Sequence, residues 1–257
     1  MFRRLRILVL LLILAVVAMS TWTDSVYSTR WNAPLTVALY PINGDGSDIT
    51  ANYIADLAQA DFESLEAFFR TESAEYGVTL QRPVWITLAP PLGALPPAPP
   101  RGGNMFQVMI WSLHFRAWSW WVPEKPPGPT ARIRMFLTFH DPNLTTTLDH
   151  STALRKGLIG TAQLFADRRA SGSNFVVIAH ELMHTLGATD KYDPRTNLPL
   201  LPNGYAEPGR KPLYPQRLAE LMAGRIPISA SSAEIPESLR EVIVGGDTAA
   251  EIGWSKK

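Results

Sequence analysis

Cysteine is absent from the 257-residue chain. Its absence excludes disulfide bonds, zinc sites built on thiolates and cysteine nucleophiles together. Any transition metal must therefore be held by histidine nitrogens and carboxylate oxygens. The chain has only five histidines, so a search for a metal site is confined to a few short segments.

An excess of charge of one sign is also missing. The 24 Lys and Arg residues are balanced by 23 Asp and Glu residues, which leaves a formal net charge of +1. Proteins that bind nucleic acids usually concentrate Lys and Arg on one element, and no such run occurs beyond the N-terminus. We therefore expect no nucleic-acid partner.

No apolar run reaches the roughly 20 residues that a membrane-spanning helix needs. The longest run, residues 7–19, follows three arginines. A basic start and a short apolar core are typical of a secretory signal. Residues 1–22 are therefore predicted to be a signal peptide that is cleaved on export, or else an uncleaved membrane anchor that tethers the chain through residues 7–22. Both interpretations place the remainder outside the cytoplasm, secreted or periplasmic.

The spacing of apolar residues predicts both strands and helices. Strands are predicted where β-branched and aromatic residues cluster or alternate with others, at residues 35–40, 84–89, 132–140 and 158–165. A long helix is predicted to begin at Ser47 or Asp48 and to end at Gly77, because apolar residues recur every three or four positions between them.

Two proline-rich stretches flank an aromatic segment. Residues 90–103 contain six prolines, residues 123–129 form the second stretch, and the tryptophan-rich segment 105–121 lies between them. Because the part before these stretches offers too few elements for a stable domain, we interpret residues 31–257 as one domain with a proline-rich insert at 90–130. The aromatic side chains are expected either to pack in the core or to form an exposed patch that faces a substrate or a membrane.

A short motif with the spacing of a metal site lies in a predicted helix at residues 175–186. His180 and His184 are four positions apart, so their imidazoles lie on one helix face and can reach the same metal ion. Glu181 lies beside this pair, where a carboxylate can take a proton from water and deliver it to a leaving amine. The spacing therefore predicts a hydrolytic metal site.

The third metal ligand is predicted to be Asp190. Gly187 allows the chain to turn sharply after the helix, and Asp190 follows it closely, as the further donor that a catalytic zinc site requires. Glu220 is an alternative, on a predicted short helix over residues 216–222. The full set of alternatives to Asp190 is Asp193, Glu207 and Glu220.

The string HELMHTLGATD, residues 180–190, resembles the extended zinc motif of the metzincin metallopeptidases, in the form that has Asp as the third ligand. The resemblance implies that His180, His184 and Asp190 bind Zn²⁺ and that Glu181 is the general base. It also implies that Met222 lies in a turn beneath the metal.

The same resemblance implies a fold. It is an α+β fold of the metzincin type, in which a mixed, twisted β-sheet packs on helices and the active-site helix follows an edge strand. Residues 158–165 would be that strand, and a substrate peptide would pair along it. One position departs from some members of the family, since Ala223 and Gly224 stand where those members have a tyrosine.

The predicted function is that of an extracytoplasmic zinc-dependent metallopeptidase that acts on a peptide or protein substrate. Two other functions fit the same residues. One is an exported binding or envelope-associated module without catalysis, in which the histidines hold a structural metal. The other is a zinc hydrolase of a non-peptide amide, such as one in cell-wall material. The sequence indicates no oligomeric state.

Overall fold

The computed structural model describes residues 29–100, 104–122, 126–148, 151–154 and 158–255, together with Arg6 and Gly102. The predicted signal peptide or anchor, residues 1–22, lies outside the described residues except for Arg6. Within the described residues, no helix is long and apolar enough to cross a membrane.

A mixed β-sheet forms the centre of the described structure. Its strands, in chain order, are β1 (Leu35–Asn43), β2 (Val84–Leu88), β3 (Ile133–His140), β4 (Thr152–Leu154) and β5 (Ile159–Phe165). Their order across the sheet is β2-β1-β3-β5-β4. All neighbouring strands are parallel except β4, which runs antiparallel to β5.

The edge position belongs to β4 and not to residues 158–165, so that part of the expectation was wrong. β5 pairs with β3 on one side and with β4 on the other. Its position inside the sheet explains its mostly apolar sequence, because an interior strand is covered on both faces. β4, at the edge, has only three residues and is too short for an apolar pattern to predict it.

Helices cover the sheet. They are α1 (Asp48–Ala55), α2 (Glu63–Glu75), α3 (Met105–Trp120), α4 (Ser171–Leu186) and α5 (Gly246–Glu251), with 3-10 turns at Gln59–Phe62, Arg168–Ala170 and Leu239–Glu241. The single long helix predicted between residue 48 and Gly77 is therefore two helices. Ala58 separates them, because its backbone is extended, with φ −120° and ψ 157°.

The two faces of the sheet carry separate apolar cores. Side chains alternate across a strand, so Leu39 and Leu137 face the core that contains α2 and α4. Their chain neighbours Tyr40 and Phe136 face the opposite way, toward Phe115 of α3. Helix α3 therefore lies on the opposite side of the sheet from the helix that carries the histidine pair.

Short strand pairs complete the C-terminal third of the chain. They are β6 (Tyr192–Asp193) with β7 (Leu198–Pro199), β8 (Ala219–Glu220) with β11 (Val242–Ile243), and β9 (Ile226–Ser229) with β10 (Ser232–Glu234). The short helix predicted over residues 216–222 is wrong, because Glu220 lies in a strand. The amide of Leu221 bonds to the carbonyl of Ile243, so pairing with a distant segment replaces local helical bonds.

Candidate metal centre

Helix α4 carries the histidine motif and begins four residues earlier than expected, at Ser171. In its first turn, the hydroxyl of Ser173 donates to the carbonyl of Pro236. The helix ends at Gly187, whose φ of 112° is a left-handed conformation that favours glycine. The chain therefore turns back directly after His184.

The two imidazoles are oriented by backbone carbonyls. Nδ1 of His180 lies 2.9 Å from the carbonyl oxygen of Leu221, and Nδ1 of His184 lies 2.9 Å from that of Ala188. A carbonyl oxygen only accepts hydrogen bonds, so both Nδ1 atoms carry the proton. In each neutral ring, Nε2 is then left with the lone pair that a metal requires.

Asp190 lies between these two lone pairs. Its Oδ1 is 3.1 Å from Nε2 of His180 and 3.1 Å from Nε2 of His184. Three electron-rich atoms facing one another at this distance repel unless positive charge lies among them. A proton on an imidazole Nε2 provides this charge through a hydrogen bond to Oδ1, whereas a single metal ion would satisfy all three donors at once.

The spacing of the donors fits zinc. Two ligand atoms bound at about 2.0–2.1 Å in a tetrahedral zinc site lie about 3.3 Å apart. The distances of 3.1 Å from Oδ1 of Asp190 to the two imidazole nitrogens are close to that value. The side chain of Asp190 is 44% exposed, so the site is open to solvent on the side of this carboxylate.

Glu181 lies beside the same donors. Its carboxylate and the two histidine nitrogens lie within 4.8 Å of one another, and this is the one group of potential metal-binding side chains found among the described residues. Of the two acids, Asp190 is at hydrogen-bonding distance from both imidazoles, so its position fits a ligand better. Glu181 is buried next to them, where a general base for water would lie.

The residues on either side of Asp190 hold it in place. The amide and the hydroxyl of Thr189 donate to the carboxylate of Glu251, at 2.8 and 2.6 Å. The ammonium of Lys191 donates to that carboxylate as well, at 2.9 Å, and its amide donates to the carbonyl of Met222. Asp190 is thus fixed through both neighbours to the C-terminal part of the chain.

A tight turn that contains Met222 lies against His180. Amides of Ala223 and Gly224 bond to the carbonyl of Glu220, and Gly224 has a φ of 67°. The turn supplies the carbonyl of Leu221 to His180 and that of Met222 to Lys191. It therefore orients one candidate ligand and supports the segment that carries another.

The ionisable side chains of the site shift one another's pKa values. Burial by itself would lower the pKa of His180, but the hydrogen bond with Asp190 and the charge of Glu181 outweigh it and raise the pKa to about 9. Burial would raise the pKa of Asp190, but its hydrogen bonds with the two histidines hold that pKa well below its usual range. The site therefore keeps its carboxylate ionised and attracts positive charge.

The alternative third ligands are engaged elsewhere. Asp193 pairs with Arg195, and Glu207 pairs with Arg210 and Arg217. The fully buried carboxylate of Glu220 accepts from the hydroxyl of Thr248 and from the amides of Gly245 and Ala223. Of the four acids considered, the structure brings only Asp190 to the histidine pair.

Tyr192 is a neighbour of the site that the sequence did not single out from other tyrosines. Its ring centroid lies 6.5 Å from that of His180. Burial, followed by the charges of Asp190 and Glu181, raises the pKa of its hydroxyl, which therefore stays a hydrogen-bond donor. Tyr205 and Tyr214 instead bond to each other, with 2.8 Å between their hydroxyls.

Neither of the comparisons with known proteins returned a relative: no model of a known protein family matches the chain, and no curated protein matches it. What can be said of function therefore depends on the residues of the site.

Proposed function

We propose that the chain is an extracytoplasmic zinc-dependent metallopeptidase. The observation that carries the proposal is the convergence of Nε2 of His180, Nε2 of His184 and Oδ1 of Asp190, with two separations of 3.1 Å and with Glu181 buried beside them. Two imidazoles, one carboxylate and an adjacent acid are the donor set of a hydrolytic zinc site.

When bound, zinc would supply Lewis acidity toward water and toward the carbonyl of the scissile bond. Glu181 takes a proton from the attacking water and delivers it to the leaving amine. Tyr192, whose ring centroid lies 6.5 Å from that of His180, is the candidate donor toward the negative charge that develops on the carbonyl oxygen. The carbonyls of Leu221 and Ala188 keep both imidazoles in the tautomer that binds metal.

Three structural features support a metzincin-type fold for this enzyme. A mixed sheet packs on helices, α4 follows a strand of that sheet, and a turn with Met222 orients His180 from below. Because β4 is the outer strand on the side of α4, we propose that a substrate peptide adds to β4 and not to β5.

A catalytic site is favoured over a structural one by the number and exposure of the donors. A structural zinc site is closed by four protein ligands. Within the described residues, the carboxylate of Asp190 lies 3.1 Å from both imidazoles and is 44% exposed, and we assign Glu181, the other nearby acid, to the base and not to the ligands. A solvent-accessible fourth position is what hydrolysis needs.

Replacement of Glu181 by Gln tests the proposal. The amide keeps the shape of the side chain but cannot act as a base, so we expect unchanged zinc content and a loss of peptide hydrolysis of about 10²–10⁴-fold. Zinc is measured by elemental analysis and hydrolysis with a library of quenched fluorescent peptides. The matched control is Glu207→Gln, which removes a carboxylate that pairs with Arg210 and Arg217 away from the histidines and should leave activity intact.

Equal rates of peptide cleavage by the wild type and Glu181→Gln would refute the proposal. A wild-type protein that binds zinc and cleaves no peptide, but releases amines from cell-wall amides through Glu181, would show that the substrate is not a peptide.

A further inference from the structure

Glu220 is a fully buried acid that neither binds the proposed metal nor acts as the base. It is 0% exposed, and within the described part of the chain no cationic side chain forms an ion pair with it. Burial raises its pKa. A carboxylate is costly to bury without a cation unless hydrogen bonds satisfy it. The donors around Glu220 therefore indicate what this side chain does.

Both carboxylate oxygens of Glu220 accept hydrogen bonds. Oε2 accepts from the amide of Ala223 at 3.0 Å, inside the turn that contains Met222. Oε1 accepts from the amide of Gly245 at 3.1 Å and from the hydroxyl of Thr248 at 2.7 Å. Gly245 directly precedes α5, and Thr248 lies in its first turn. One side chain thus joins the turn to α5.

The turn held by Glu220 is the one that orients His180. The residue after Glu220 is Leu221, whose carbonyl oxygen lies 2.9 Å from Nδ1 of His180. The amide of Ala223 bonds to both the side chain and the backbone carbonyl of Glu220, so the carboxylate helps to close the turn around this carbonyl. A shift of the carboxylate would therefore move the group that keeps His180 in its metal-binding tautomer.

The opposite end of α5 contacts the segment of Asp190. Glu251, the last residue of α5, accepts from the amide and hydroxyl of Thr189 and from the ammonium of Lys191. The amide of Lys191 in turn donates to the carbonyl of Met222 at 2.9 Å. The turn, α5 and the segment of Asp190 therefore form a closed ring of contacts.

The position of Glu220 requires two acceptor oxygens. Glutamine has the same shape, but it has only one acceptor oxygen and its NH₂ group donates. In Glu220→Gln, a donor would therefore face either the amide of Ala223 or the amide of Gly245, and one of the two connections would be lost. Space is also tight, because a Cβ added at Gly245 would lie 2.9 Å from Cγ of Glu220.

We propose that Glu220 is a positioning residue for the metal centre. Through the turn it sets the orientation of His180, and through α5 it ties that ligand to the segment that carries Asp190. This role rests on the proposed function, because it concerns the same metal centre. His184 is an internal reference, since its Nδ1 is oriented by the local carbonyl of Ala188.

Two variants displace the carboxylate in different ways. Glu220→Gln removes one acceptor oxygen, and Gly245→Ala pushes the intact side chain aside. The matched control for the first is Glu72→Gln, because Glu72 accepts from the amide of Val244 at 2.7 Å and so holds the same segment from the side of α2. The matched control for the second is Gly246→Ala, since a Cβ at Gly246 would meet nothing within 4 Å.

Hydrogen exchange of the imidazole Nδ1 protons reports on ring orientation and is followed by NMR on metal-free protein with ¹⁵N-labelled histidine. We expect the Nδ1 proton of His180 to exchange several-fold faster in Glu220→Gln and in Gly245→Ala than in the wild type, and that of His184 to be unchanged. Zinc affinity, measured by competition with a zinc-binding dye, should fall about tenfold in both variants. Both controls should match the wild type.

If Glu220→Gln and Gly245→Ala leave exchange at His180 and zinc affinity unchanged, Glu220 does not position the centre. Equal changes in Glu72→Gln and Gly246→Ala would also overturn the role, because they would show a general loosening of the fold. A wild type that binds no zinc but shows the predicted exchange would refute the metal centre and support the orientation of His180 by Glu220. If Glu220→Gln does not fold, Gly245→Ala, which keeps the carboxylate, decides.

Discussion

His180 and His184 are oriented from different parts of the chain. The partner of His184 is the carbonyl of Ala188, four residues on, whereas the partner of His180 is the carbonyl of Leu221, 41 residues away. The first contact is local and comes with the turn at Gly187. The second depends on the docking of the C-terminal segment, so His180 is the candidate ligand whose orientation depends on contacts between distant parts of the chain.

Asp45 provides a pH-dependent contact at the end of β1. Burial would raise the pKa of Asp45. Hydrogen bonds from the amides of Asp141 and Ser47 and from the hydroxyls of Ser47 and Thr50 outweigh burial and lower the pKa to about 2. A carboxylate whose pKa is lowered on folding stabilises the protein above its unfolded pKa, 3.8, and this stabilisation is lost as the pH falls toward 2.

We expect Asp45→Asn to lower the free energy of unfolding by about 1 kcal/mol at pH 7, a value reduced for partial exposure. Near pH 2 the variant and the wild type should be equally stable. Urea unfolding at both pH values measures the difference, with Glu234→Gln, an exposed position in β10, as the control. If Asp45→Asn lowers the free energy of unfolding as much near pH 2 as at pH 7, the charge of Asp45 does not stabilise the fold.

Three of the four residues of the candidate site, His180, Glu181 and His184, could be predicted because helical periodicity alone places them together. Asp190 could be ranked above the other acids because a short turn limits its reach. Glu251 and the carbonyl of Leu221 could not be predicted, because they contact Lys191 and His180 from 60 and 41 residues away in the sequence. A carbonyl, moreover, has no signature in a sequence.

At the level of elements, the turn that ends α4 determines where Asp190 lies. Gly187 has a φ of 112°, and the amide of Ala188 bonds to the carbonyl of Met183. A residue with a Cβ in this conformation costs about 1–2 kcal/mol. A change of this backbone conformation would also move the carbonyl of Ala188 away from His184.

We expect Gly187→Ala to lower both stability and zinc affinity. Gly77, which follows α2 with a φ of 80°, gives the matched control: Gly77→Ala should cost a similar free energy of unfolding and leave zinc affinity unchanged. Thermal unfolding and competition with a zinc-binding dye measure the two quantities. If both variants bind zinc as tightly as wild type, the turn at Gly187 does not position the site.

Sequence patterns located best those elements whose apolar residues cluster or recur at a regular spacing. β1, β2, β3, β5 and α4 were each located within a few residues, since β-branched and aromatic residues cluster or alternate in the strands and α4 has a clear apolar stripe. The break at Ala58 was missed, because the apolar spacing continues through it while the backbone does not. The role of α3 stayed open between core and surface, and the structure shows both: Phe115 is buried, and Trp120 is exposed.

At the level of the whole molecule, a metal held by His180, His184 and Asp190 would join α4 to the segment after it, while the contact of His180 with Leu221 links α4 to the turn at Met222. Because zinc would bind the folded chain and not the unfolded one, free zinc at 100 times its dissociation constant should add about 2.7 kcal/mol of stability. For a chain of this size, this corresponds to a rise in Tm of about 5–10 °C.

We expect a chelator to reverse that rise. Glu181→Gln should show the same zinc-dependent shift, since it keeps the donors, and His184→Ala should show none. Scanning calorimetry with and without chelator measures this shift in Tm. An identical shift in wild type and His184→Ala would mean that zinc binds at another place.

The coordination of bound zinc is tested by X-ray absorption at the zinc edge on the full-length protein, compared with Asp190→Ala and Asp193→Ala. We predict one equivalent of zinc with nitrogen and oxygen ligands at about 2.0–2.1 Å and the scattering pattern of two imidazoles. Asp193→Ala should give the same spectrum, and Asp190→Ala should lose the metal or show an altered shell. A wild-type protein without stoichiometric zinc, or a spectrum that Asp190→Ala leaves unchanged, would refute a centre built from His180, His184 and Asp190.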